Sequence, residues 1–173
     1  MITKSLLAQE HNLSNPENQI KFLERSELTK FSDKLKQQNL FPLIPHKLEI
    51  FQINVGKMCN QVCKHCHVDA GPDRKEIMTR KTMLLCLDAI AKSGAHTVDL
   101  TGGAPEMNPD FRWFIEEISN LNKSIIVRCN LTIIVANHKY NDLPAFFKKY
   151  NIEVVSSLPY FTATKTDSQR GDG

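Results

Sequence analysis

Three cysteines fall within eight residues, Cys59, Cys63 and Cys66, in a C-x3-C-x2-C spacing. No other feature limits the chain so sharply. The total of five cysteines is odd, and the other two, Cys86 and Cys129, stand alone. A disulfide framework calls for an even, dispersed set in an oxidising compartment. Three thiols this close read instead as metal ligands on one loop. Three thiolates can take three irons of a cubane cluster, leaving the fourth iron open to a small molecule. The competing reading is a zinc knot with His65 or His67 as fourth ligand. Zinc ribbons pair two such units across a longer span, and the second unit is missing. Cys86 and Cys129 lie in apolar stretches and read as small buried hydrophobes without a catalytic role.

The cysteine loop is set in a regular pattern. Leu48–Val55 is strand-like and precedes it. Thr79 is placed to cap a helix running to about Ser93, with Met83, Leu87, Ile90 and Ala91 on one face and Gly94 as terminator. Thr97–Thr101 is a short strand. Asn108 is read as the cap of a helix with Pro109 in its first position and Phe111, Phe114, Ile115 and Ile118 on its apolar side. Ser124–Arg128 is a third strand, Leu143–Tyr150 a short helix and Ile152–Ser156 a fourth strand. Such alternation with short connections predicts a parallel sheet with helical crossovers. Ligands of these sheets bind outside the carboxyl ends of the strands. The cysteine loop, Gly102–Glu106, Arg128–Asn130 and Ser156, Ser157 and Tyr160 all fall at those ends.

Residues 1–47 differ from this rhythm. They are polar and irregular, and Phe22–Gln38 is expected to form one amphipathic helix with Leu28, Phe31 and Leu35 at helical spacing. This N-terminal extension is expected to pack on a core spanning residues 48–173. With 41% hydrophobic residues in 173, the chain has enough apolar side chains for a substantial core. A net charge of +3 gives no case for nucleic acid as a partner. The longest apolar runs, such as Thr132–Ala136, are far too short to span a membrane. Met1–Ala8 shows no secretory signal, so a cytoplasmic location is expected.

On these residues the chain resembles the radical S-adenosylmethionine (radical SAM) enzymes: C-x3-C-x2-C directly after the first strand of a β/α array, and a Gly-Gly loop after the second. The wider string Cys-Asn-Gln-Val-Cys-Lys-His-Cys-His-Val-Asp-Ala-Gly-Pro at 59–72 is similar to the arsenosugar-biosynthesis family. So are Leu-Thr-Gly-Gly-Ala-Pro-Glu at 100–106 and Arg-Cys-Asn-Leu-Thr at 128–132. The resemblance implies an α/β fold, a partial (β/α) barrel with four β/α units of an expected six. It implies a [4Fe–4S] cluster on Cys59, Cys63 and Cys66 whose open iron is chelated by SAM. It also implies reductive cleavage of SAM to methionine and a 5′-deoxyadenosyl radical, joined in the arsenosugar family to a methylated arsenic(III) species. A flavodoxin or ferredoxin is the implied electron donor.

The same resemblance suggests roles for the other loops. Gly102, Gly103 and Glu106 match a GGE-type motif with two residues inserted before the acid, and would receive the methionine amino group of SAM. The position before the third cysteine is usually aromatic and near the adenine; here it is His65, whose ring is also flat. Arg128 and Asn130 are candidates for the SAM carboxylate or ribose, since arginine forks suit carboxylates. Ser156, Ser157 and Tyr160 read as ordinary strand-end residues. Two other functions stay open: a radical SAM enzyme acting on a peptide or cofactor precursor, and a zinc-binding module or inactive remnant. The ending at Gln169–Gly173 reads as a loop with no helix after the fourth strand. On that reading the core is truncated and the sheet face near Ile152–Ser156 is left exposed.

Overall fold

The computed structural model describes residues 4–25 and 28–171. Four strands form one sheet: β1 (Ile50–Asn54), β2 (Thr97–Thr101), β3 (Ser124–Arg128) and β4 (Glu153–Val155). All three pairings are parallel and the spatial order is β1-β2-β3-β4. Parallel neighbours need a crossover, and right-handed crossovers between strands added in sequence leave every helix on the same side. The three crossover helices are α3 (Arg80–Lys92), α4 (Phe111–Asn120) and α6 (Leu143–Lys149). This is the expected α/β architecture, a partial barrel of four β/α units.

Period-two alternation separates the two faces of the sheet. Ile53, Val98, Leu100, Ile125 and Val127 share one buried cluster with Met83 and Ile90 of α3, Phe111, Phe114, Ile115 and Ile118 of α4, and Leu143 and Phe147 of α6. The other face carries polar side chains. There Gln52 of β1 donates to Asp99 of β2 at 2.7 Å, and Arg128 of β3 forks onto the same carboxylate at 2.8–3.1 Å. A buried aspartate in mid-strand is tolerated because two neighbouring strands supply its partners.

Several expectations need correcting. One N-terminal helix was expected over Phe22–Gln38; the chain has two, α1 (Pro16–Leu23) and α2 (Phe31–Gln37). Ser26 and Glu27, inside the expected helix, lie outside the described residues. Neither helix buries a residue, and Leu28 and Phe31 are 80% and 69% exposed. What docks on the core is the segment ahead of them. The backbone N–H groups of Leu6 and Leu7 donate to Asp69 at 2.6 and 3.0 Å, and Ser5 bonds Asp73 through both backbone and hydroxyl.

Asn108 does not cap a helix starting at Pro109. Its amide nitrogen donates to the carbonyls of Val55 and Met78, both at 3.0 Å, and α4 begins only at Phe111. On α3 the expected Thr79 cap is present, accepting from the Thr82 N–H, but Ala91 is exposed. The run Thr132–Ala136 forms a short helix, α5, although β-branched residues favour strands. Asn130 drives it there by accepting from the Ile133 N–H at 3.1 Å. No helix was expected after β4, but α7 (Ala163–Arg170) follows it and takes in Gln169 and Arg170 of the expected loop; Asp172 and Gly173 lie outside the described residues. On β4, Glu153 is exposed and Val154 is 38% exposed. Among the described residues, no helix is long and apolar enough to cross a membrane.

The core between sheet and helices should dominate stability. Phe114 is fully buried, so Phe114→Ala should cost about 3–5 kcal/mol in urea unfolding. Leu85 lies on the outer side of α3 at 67% exposure, and Leu85→Ala should stay within about 0.5 kcal/mol. Equal losses would mean that α3 and α4 do not pack as described.

Candidate functional site

The four loops at the carboxyl ends of the strands enclose a cleft of about 240 Å³. Loop one runs from Val55 to Thr79 and is closed at its base by backbone bonds. Lys57 N donates to Glu76 O, Gly71 N to Lys57 O, and Cys59 N to Gly71 O, at 2.8–3.2 Å. Arg74, only 5% exposed, braces its far side by bonding the Asp69 carboxylate and backbone carbonyl and the Glu76 carboxylate. Cys59, Cys63 and Cys66 are thereby held on the cleft wall.

The Gly-Gly loop is positioned by the cysteine loop itself. Gly103 N donates to Gly56 O at 2.9 Å, and Ala104 N to Met58 O at 2.8 Å. A Cβ at Gly103 would stand 2.4 Å from Met58 O, and one at Gly102 2.7 Å from Gly56 O. Gly102 also has φ +157. These glycines therefore permit close approach of two backbones to one another. Both residues line the cleft.

Thiol-directed hydrogen bonds converge on the cysteines. Cys59 Sγ accepts from Gln61 N at 3.5 Å and from Asn130 Nδ2 at 3.6 Å, and Cys66 Sγ from Ala70 N at 3.3 Å. Asn130 also donates to Asn60 Oδ1 at 2.8 Å, and Asn60 donates to Thr132 Oγ1 at 2.9 Å. This network ties the cysteine loop to the end of β3. Burial pushes the Cys59 and Cys63 thiols above the usual thiol range, with Arg170 pulling Cys63 back. A metal ion opposes that cost, because it binds the deprotonated sulfur.

The remaining sequence candidates fall in different places. His65 is exposed and lines the cleft beside His67. Arg128 also reaches it, but its fork is already engaged by Asp99. Glu106 is not on the cleft wall. It sits behind it on a 3₁₀ turn (Pro105–Met107), 5% exposed, and neither carboxylate oxygen has a hydrogen-bond partner. Burial raises its pKa above the ordinary carboxylate value. Cys129 stands against it and does line the cleft; burial, then the Glu106 carboxylate, push that thiol up to about 12. Ser157 contributes its carbonyl to Arg170, while Tyr160 is bonded by Lys165 on α7.

The sequence reading passed over Asp99, Asn60, Arg170 and the cleft position of Cys129. Asp99 left a signal, a lone acid inside the apolar strand Thr97–Thr101. Arg170 left none, because it comes from a helix that was not expected.

The site fits an iron–sulfur cluster and a polar ligand on two grounds. Three thiols share one wall with N–H donors aimed at two of them. Glu106 is an orphaned buried carboxylate, and Gln61 Oε1 and Arg170 Nε, on the cleft residues, are buried without partners.

No family model matches the chain. It is 28% identical over 86 residues to a GTP 3′,8-cyclase of Psychromonas ingrahamii, covering 49% of this chain and 25% of the relative. It is 27% identical over 122 residues to the GTP 3′,8-cyclase of Alkaliphilus oremlandii, covering 68% of this chain and 38% of the relative. The chain thus spans well under half the length of either curated relative. Streptococcus suis SuiB has a similar fold, with TM-score 0.58 at 16% identity over 91% of this chain and 38% of that one. The crystal structure of SuiB bound to S-adenosylmethionine gives the same TM-score at 18% identity. These similarities support the radical SAM superfamily and do not reach the arsenosugar family.

Asp99 and Glu106, both buried, should respond to pH in opposite ways. Burial raises the Asp99 carboxyl, but Arg128 and Gln52 outweigh it and hold its pKa below 3.8. Its contribution is present above that value and is lost as pH falls through the lower folded value. Glu106 is shifted upward from 4.5, so its ionised form costs stability at neutral pH and the cost is relieved as pH falls. Without ligand at pH 7, Glu106→Gln should therefore stabilise the protein by about 1–3 kcal/mol. Asp99→Asn should destabilise it and flatten the acid limb below about pH 4. Denaturant unfolding across pH measures both, and a destabilised Glu106→Gln protein would contradict the orphaned carboxylate.

Proposed function

We propose that residues 48–173 belong to the core of a radical SAM enzyme, with residues 1–47 as an extension. Cys59, Cys63 and Cys66 hold three irons of a [4Fe–4S] cluster, and SAM occupies the remaining iron. When bound and reduced, that cluster supplies one-electron reductive cleavage of SAM. The observation that carries this reading is the convergence of the three cysteines, the Gly-Gly loop and Asn130 on one cleft at the strand ends.

Each residue then has a task. Asn130 donates a hydrogen bond to the Cys59 sulfur, and such bonds tune the potential of thiolate-held clusters. Glu106 accepts the methionine ammonium, which gives its orphaned oxygens a partner. Gly102 and Gly103 keep the second loop close to the cysteines. Arg128, fixed by Asp99, presents positive charge to the SAM carboxylate from a position it cannot leave without breaking a fork. His65 packs beside the adenine.

For the substrate, the strings at 59–72, 100–106 and 128–132 favour transfer of a deoxyadenosyl group to a methylated arsenic(III) species. A second reading, a cofactor precursor, is favoured by the two sequence relatives, whose name states GTP. A flavodoxin or ferredoxin in the cytoplasm would deliver the electron.

Two sets of variants test the cofactor assignment. Anaerobic reconstitution should give a band at about 400 nm, the region expected of a thiolate-bound cluster. Alanine at Cys59, Cys63 or Cys66 should abolish it, whereas Cys86→Ala should retain it. Full iron loading in Cys63→Ala would overturn the assignment. Glu106→Gln should keep its iron but bind SAM about ten- to a hundredfold more weakly, the loss of one charge-assisted bond of about 1.5–3 kcal/mol. An unchanged dissociation constant for SAM would remove Glu106 from the cofactor site.

A further inference from the structure

The peptide group between Asp69 and Ala70 is held at both ends. Its N–H, on Ala70, donates to Cys66 Sγ at 3.3 Å. Its carbonyl, on Asp69, accepts from Arg74 Nη1 at 2.8 Å. A peptide group is planar, so fixing the carbonyl fixes the direction of the N–H. The same Arg74 nitrogen bonds the Asp69 carboxylate at 2.6 Å, while Nε and Nη2 are taken by Glu76. Arg74 therefore keeps one orientation. Asp69 adds a further hold through its own N–H, which donates to Cys66 O at 3.2 Å.

This arrangement has to be stabilised from outside the loop. Asp69 has φ +53, a left-handed conformation that costs energy in any residue with a side chain. Its carboxylate is nearly buried and offers about four acceptor sites, which one guanidinium nitrogen does not fill. The N-terminal segment supplies the rest. The N–H groups of Leu6 and Leu7 donate to the two carboxylate oxygens at 2.6 and 3.0 Å. Ser5, itself buried, anchors that segment on Asp73, and a turn closes behind it, with Gln9 N donating to Ser5 O at 3.1 Å and His11 N to Leu6 O at 3.0 Å. Leu6 and Gln9 share the wall of a second cavity, of about 470 Å³, with Cys63 and Cys66.

We propose that Asp69 is a positioning residue for the metal centre: its carboxylate, joined to the N-terminal segment and to Arg74, aims the Ala70 N–H at the Cys66 sulfur. The inference rests on the cluster assignment above. Asp69 does not line the strand-end cleft, so it acts on the centre through Cys66 alone. Hydrogen bonds to cluster sulfurs set the reduction potential. An N–H aimed at a thiolate favours the more negative, reduced cluster, and so raises that potential. The N-terminal segment thereby belongs to the cysteine loop in function, although it precedes β1 by some forty residues.

The test is a redox titration of anaerobically reconstituted full-length protein, followed by electron paramagnetic resonance. Asp69→Asn is the first variant, because asparagine keeps the shape and tolerates the left-handed backbone but loses the charge. It should retain its iron and shift the reduction equilibrium about tenfold, or about 59 mV toward more negative potential for a one-electron couple. Arg74→Lys, which keeps the charge and loses the fork, should shift it in the same direction. Ile118→Val, in the core, should lower stability and leave the potential at the wild-type value. Should Asp69→Asn fail to fold, Arg74→Lys is judged by the same criterion. An iron-loaded variant with the wild-type potential, or an equal shift in Ile118→Val, overturns the positioning role and leaves the cluster assignment standing. A wild-type protein that takes up no iron overturns the cluster assignment itself.

Discussion

Everything at the site hangs on the contact between the first two strand-end loops. The cysteine loop is long and has little apolar content of its own, so its backbone groups need partners. It finds them in itself, through Lys57, Gly71 and Glu76, and in the Gly-Gly loop, through Gly56 and Met58. The second set exists only because positions 102 and 103 lack side chains; a Cβ at either would meet a carbonyl oxygen below 3.0 Å. The rigid parallel sheet fixes where the two loops start, and the glycines fix how near they come. The three thiols inherit their positions from that geometry.

Stability and function pull in different directions within a few ångströms. Asp99 is buried with three hydrogen-bonding nitrogens around it, and it strengthens the sheet. Glu106 is buried with none, and weakens the fold until a cation or a proton reaches it. Leu131, at φ +62, is held in a left-handed conformation that a leucine rarely adopts. The network of Asn60, Asn130 and Thr132 around it holds that conformation in place. Strain and unpaired polarity gather at the strand ends, while the opposite face of the sheet packs without either.

Much of this was legible in the sequence because its signals are local. The strands at Thr97–Thr101 and Ser124–Arg128 are short apolar, β-branched runs between turn residues, and both match the structure residue for residue. The cap at Thr79 needed only a hydroxyl three residues from an amide. Failures came where a distant partner decides. Asn108 looks like a cap, yet its amide is claimed by Val55 and Met78 from other parts of the chain. The fork of Arg128 onto Asp99, 29 residues earlier, was likewise invisible along the chain. The Thr132–Ala136 run is helical because Asn130 seeds the turn, against the preference of its own residues. Cys129 was read as a small buried hydrophobe, and it lies 2% exposed in the core cluster.

The central claim is that three thiolates hold a cluster with one iron left open for SAM. Electron paramagnetic resonance of the dithionite-reduced protein tests it directly, because the signal reports the ligands of each iron. Addition of SAM should shift the spectrum of the reduced cluster, and the shift should saturate at one SAM per cluster. A cluster spectrum that is unchanged by saturating SAM would contradict the account.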